Sequence, residues 1–159
     1  MPSYGLATIY EDHPVGQEFT FDNLPLHLTH IDSFETGQSV DELAVKLKEI
    51  LVGQQALTTK AIADELFGIN KDILVTALEL TPQLTSLHGA IIRLLEREGA
   101  TLKNPQFNGD NFTPHISVYG PKRVVVGQVV PIKDISLTSK VSDADDANRR
   151  VLANITLTS

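Results

Sequence analysis

The chain of 159 residues contains no Cys and no Trp, a single Met, and only 6% aromatic residues. Without Cys there is no thiolate nucleophile, no Cys-ligated zinc, no iron–sulfur cluster and no disulfide, and nothing points to an oxidising compartment. The cytoplasm is the expected location. The apolar runs are too short to span a bilayer, and the first residues, Met1 to Asp12, lack the basic leader and apolar core of a signal peptide. A Gly-rich phosphate loop, a Gly-x-Ser-x-Gly elbow and a dinucleotide fingerprint are also missing. Positive charge is scarce: 13 Lys and Arg stand against 20 Asp and Glu, a net charge of −7. Such a surface repels a long polyanion on average, which argues against binding along duplex DNA or RNA. A small anionic ligand or one nucleic-acid end remains compatible, because a local pocket can be donor-rich on an acidic molecule.

What is present is the composition of an ordinary globular chain, 42% hydrophobic and 21% charged, long enough to bury a core without staples. Tyr4 to Tyr10 reads as a buried strand closed by the turn chemistry of Glu11 to Gly16. Phe19 to Ile31 alternates Leu24, Leu26 and Leu28 with Pro25, His27 and Thr29, the pattern of a half-buried strand. Ser39 caps a helix whose apolar positions Leu43, Leu47, Ile50 and Leu51 run to Gly53. Gln55 to Phe67 reads as a strand followed by a loop, and Asp72 to Leu80 as a buried strand. Thr81 and Pro82 open a second helix through Leu84, Leu87, Ile91, Leu94 and Leu95, ending at Gly99. Lys103 to Asn111 is a polar loop. Phe112 to Tyr119, Val124 to Val130, Ile132 to Thr138 and Val151 to Thr158 supply further strands, with Pro131 interrupting. Six to eight strands and two helices give an α+β sheet protein, expected to be one domain over residues 1–159.

Two of these strands carry the chemistry. His27-Leu28-Thr29 and His115-Ile116-Ser117 each place an imidazole and a hydroxyl two positions apart, side by side on one pleat face. The opposite faces carry Leu26 and Leu28, or Pro114, Ile116 and Val118, so the core claims the alternate positions. The two copies, each beside an amphipathic helix, suggest an internal duplication with its halves facing across a cleft. Two imidazoles titrating near neutrality suit metal-free phosphodiester chemistry, one taking a proton from the nucleophile and the other giving one to the leaving oxygen. Thr29 and Ser117 suit the non-bridging phosphate oxygens.

PLHLTHI and FTPHISVYG resemble the paired His-x-Thr/Ser motifs of the two-histidine phosphoesterase superfamily, in its 2′-5′ RNA ligase and cyclic phosphodiesterase branch. The likeness extends along nearly the whole chain, through DILVTALEL and the helix containing LTSLHGAIIRLLE. It implies a bilobal α+β fold with pseudo-twofold symmetry, antiparallel sheets lining a central cleft and helices outside, and catalysis without metal or other cofactor. It makes His115 the general base, His27 the general acid, and Thr29 and Ser117 the phosphate ligands. The implied partner is a small nucleotide, a cyclic phosphate or an RNA end, with neither a membrane nor a long duplex. The implied activity is hydrolysis of a 2′,3′-cyclic phosphate or a short 2′-linked or cyclic nucleotide; the alternatives are 2′-5′ RNA ligation and a non-catalytic nucleotide or RNA-end binding module. The chain departs from the family in having Ser at the second hydroxyl position, and in having no basic residue at Val118 or Tyr119.

Tyr119 shares the pleat face of His115 and Ser117, and is the first candidate for stacking on a base or bonding the phosphate. Tyr4 and Phe112 are further stacking candidates, and Lys122 or Arg123 is the expected substitute for the missing cation. His13 belongs to a turn, His88 to a helix, and His30 to the face opposite His27, so all three read as structural. Asp143 to Asp146 reads as an acidic loop without the remaining positions of a calcium-binding loop.

Overall fold

A computed structural model describes residues 3–20, 23–141 and 148–159. The acidic stretch Asp143 to Asp146 and the start of the PLHLTHI-bearing run at Phe21 and Asp22 lie outside the described residues. The elements in chain order are β1 (Ser3–Ile9), β2 (Glu18–Phe19), β3 (His27–Glu35), α1 (Val40–Leu51), β4 (Leu57–Phe67), β5 (Ile73–Leu78), α2 (Pro82–Arg97), β6 (Thr101–Leu102), β7 (His115–Ser117), β8 (Val129–Ile132), β9 (Asp134–Ser139) and β10 (Arg149–Thr156). The fold class is α+β, as the sequence pattern indicates.

The helices form where the sequence caps them. Ser39 accepts a hydrogen bond from the Glu42 backbone N–H at the start of α1, and Thr81 does the same for Leu84 at the start of α2, with Pro82 at the first helical position. Leu43, Leu47 and Leu51 form the buried stripe of α1, and Leu84, Leu87, Ile91, Leu94 and Leu95 that of α2. Both stripes join Leu28, Phe34 and Ile116 in one apolar core.

The strands run in the order β2-β10-β9-β1-β3-β7-β5-β4-β8, with β6 beside β3. Each named pairing is antiparallel. The sheet has two halves, one ending at β3 and the other beginning at β7. They meet where Leu28 pairs with Ile116. Leu28 and Ile116 are 0% and 1% exposed, and their neighbours at i±1 project to the other face. His27, Thr29, His115 and Ser117 are thus brought to a single face at the seam, opposite the helices' core.

Several boundaries differ from the sequence reading. Leu24 to Leu26 precedes β3 rather than belonging to it, since Pro25 has no N–H to give to a ladder, and β3 continues instead to Glu35. Residues 57–67 form one unbroken strand, with no loop after Ile62. Val124 to Gln128 is a turn rather than strand, and the strand there spans Pro131, tolerated because β8 is a sheet edge. The strand of the second motif shrinks to His115–Ser117.

Candidate active site

Each imidazole is pinned in the same way. His27 Nδ1 lies 2.9 Å from the Pro25 carbonyl and His115 Nδ1 lies 2.8 Å from the Thr113 carbonyl, in both cases two residues back along the chain. A carbonyl only accepts, so each Nδ1 carries the proton and each neutral ring keeps its Nε2 lone pair for chemistry. Matched backbone bonds thus fix tautomer and ring direction at both positions. A ring backs each imidazole as well. Tyr119 lies nearly parallel to His27 with centroids 6.2 Å apart, and Phe67 meets His115 edge-on at 4.6 Å.

Two cavities open at the seam. The first, about 350 Å³, is lined by His27, Tyr119, Phe19, Leu24 and Arg149 among others; the second, about 710 Å³, by His115, Phe67, Ile69, Phe107, Asn108 and Asn111 among others. Thr29 and Asp32 line both, so the cavities adjoin at these two side chains. Burial lowers the pKa of His27, the Pro25 carbonyl opposes this, and the nearby His115 and Arg149 charges lower it further. The influence of His115 on His27 places the two imidazoles within electrostatic reach of each other.

The other predicted residues fall as follows. Ser117 sits on the shared face but borders neither cavity; it hydrogen-bonds the Tyr119 hydroxyl, whose pKa burial raises and this bond pulls back. Tyr119 lies past the end of β7, in a tight turn with Lys122, and accompanies His27 rather than the His115 of its own motif. Phe112 lines the second cavity with its ring stacked on His88 at 4.0 Å. The structure does not bring Tyr4, Lys122 or Arg123 to either cavity. Tyr4 is 5% exposed and packs on Phe34; Lys122 pairs with Glu11 at 3.0 Å and Arg123 with Asp64 at 2.5 Å. His13 pairs with Asp134, His30 contacts the Thr8 hydroxyl at 2.8 Å, and His88 accepts from the Gly109 N–H. Among the described residues no three His, Asp or Glu side chains group as a metal-binding set.

Asp32, Phe67 and Arg149 were not singled out in the sequence. A bulge explains Asp32: Ala7 pairs with Thr29 but Leu6 pairs with Ile31, so His30 is an extra residue that shifts the alternation and turns Asp32 toward the cleft. Asp32 is the one acidic residue in HLTHIDSF, and that was the available signal. Phe67 gave less, since its place depends on β4 running its full length.

No family model matches the sequence, and neither does any curated protein. Solved structures do match. A crystal structure described as a phosphoesterase superposes with a TM-score of 0.63 at 17% identity over 100% of both chains. Escherichia coli LigT complexed with 3′-AMP gives 0.61 at 17% identity, again over 100% of both chains. TT0787 of Thermus thermophilus gives 0.65 at 14% identity, over 99% of this chain and 98% of that one.

The chain has the two-histidine phosphoesterase fold. Within that fold the paired strands at the seam bring His27, Thr29 and His115 to the two adjoining cavities.

Proposed function

We propose that this protein is a phosphodiesterase that hydrolyses a 2′,3′-cyclic phosphate or a short 2′-linked or cyclic nucleotide by paired imidazole acid–base catalysis, without a metal. The observation that carries the reading is the matched pinning of His27 and His115 on strands paired through Leu28 and Ile116. One phosphate at the junction of the cavities then has an Nε2 on either side, with the Thr29 hydroxyl between them as a donor to a non-bridging oxygen. The likeness to a LigT structure holding 3′-AMP agrees with a nucleotide monoester as product.

Burial, and to a lesser degree the nearby His115, disfavour a proton on His27, so His27 is assigned as the general base and His115 as the general acid. This reverses the roles that the family resemblance implies. Water's oxygen forms the new P–O bond while its proton passes to His27 Nε2. The bond from phosphorus to one ribose oxygen breaks, and that oxygen takes the proton of His115 Nε2, leaving a nucleoside monoester. Solvent then restores the proton from His27 to His115.

Hydrolysis of nucleoside 2′,3′-cyclic phosphates in the presence of EDTA tests this directly. His27→Ala and His115→Ala are each expected to lower kcat by about 100-fold or more. Wild-type activity that appears only on adding a divalent metal, or alanine variants that keep full rate, would refute it.

A further inference from the structure

Asp32 takes no part in the hydrolysis described above, although Asp32 and Thr29 are the two residues that line both cavities. Among the described residues no ion pair to its carboxylate is present. Oδ2 accepts from the Asn104 side-chain amide at 2.5 Å, and Oδ1 accepts no hydrogen bond from the described residues. Asn104 holds the group in place and leaves its charge intact. Two backbone features aim it there: the bulge at His30, and Gly5 opposite, whose missing Cβ lets the Asp32 carbonyl approach to where that atom would lie only 3.0 Å away.

The second cavity has the volume for a nucleoside, exposed apolar rims at Phe107 and Ile69, and the amides of Asn108 and Asn111 to meet a heteroaromatic ring. It has no Lys or Arg among its lining residues, whereas the first cavity has Arg149. The reacting phosphate at the junction is met by the acid His115 and the Thr29 hydroxyl. A second phosphate placed deeper in the larger cavity would instead face the Asp32 carboxylate with no Lys or Arg among the lining residues to offset it, and such like-charge pairing works as rejection.

We propose that Asp32 is a specificity-determining residue that restricts the arm of the substrate in the larger cavity to an uncharged nucleoside and excludes one bearing a further phosphate. This rests on the phosphodiesterase reading above. The test compares adenosine 2′,3′-cyclic phosphate with its 5′-phosphorylated counterpart on wild type and Asp32→Asn, where Asn keeps a carbonyl for Asn104. Wild type is expected to favour the 5′-hydroxyl substrate by about tenfold or more in kcat/KM, and Asp32→Asn to reduce that ratio below about threefold. The ratio is the readout, so a general loss of rate in the variant cancels. Calorimetry with adenosine 2′-monophosphate and adenosine 2′,5′-bisphosphate separates the two claims. Discrimination in binding with no hydrolysis by wild type would sustain the role of Asp32 and overturn the reaction. Equal handling of both compounds by wild type, or an unchanged preference in Asp32→Asn, would overturn the role of Asp32 whatever the rate.

Discussion

At the scale of single residues, His27 and His115 are made alike by their backbone partners and unlike by their surroundings. The ring that must begin neutral has its protonated form disfavoured by burial. A base acts only when deprotonated, so activity should rise as pH increases through a midpoint below 6.5, the ordinary imidazole value from which His27 is lowered. It should fall again as the pair gives up its remaining proton, the two limbs belonging to the pair and not to either ring alone. A kcat/KM profile across roughly pH 4 to 9 checks this: a rising limb centred above the ordinary imidazole value would remove the assignment of His27 as base. The four His and hydroxyl positions were legible because alternation in a strand is a local rule. Lys122 and Arg123 were not, since whether a cation is available depends on Glu11 and Asp64 arriving from distant segments.

At the scale of elements, caps and apolar stripes predicted both helices closely because those signals lie within one turn. Strand limits were less legible. β4 continues through Ala63 to Phe67 only because β5 pairs with it along that length, and a partner strand cannot be read from a segment by itself. The bulge in β3 is equally hidden, yet it decides what faces the cleft. Gly5 gives a handle on it. A Cβ there would lie 3.0 Å from the Asp32 carbonyl, 3.2 Å from Thr138 Oγ1 and 3.4 Å from the Ile31 carbonyl. Two of these neighbours are backbone, so β3 itself must move. Gly5→Ala is expected to cost about 1–3 kcal/mol by urea unfolding and to raise KM. An unchanged midpoint would mean that the bulge is not held by this contact.

At the scale of the whole molecule, two half-sheets share one core on the helical side and leave their polar faces at a seam. Part of that core is ionisable. His30 and His88 are 1% and 3% exposed, and burial lowers their pKa values to about 3 and about 4, with the His88 charge a lesser influence on His30. The unfolded chain takes up these protons near pH 6.5, so the native state binds fewer between there and about pH 4. Their stabilising contribution is complete above that upper value and is lost as pH falls, by up to about 1.4 kcal/mol per pH unit for each group. Urea midpoints should therefore drop between pH 6.5 and 4. His88→Gln, whose carbonyl can still accept from Gly109, should show a shallower slope; equal slopes would contradict the buried neutral state of His88.

The most direct measurement follows the imidazole nitrogens of His27 and His115 by NMR while adenosine 2′-monophosphate is added in EDTA. One phosphate between two rings predicts that both Nε2 signals shift, saturate at the same ligand concentration, and titrate at higher pH in the complex, because a bound anion favours the imidazolium form. Movement of one ring alone, or saturation of the two at different concentrations, would contradict a shared phosphate site.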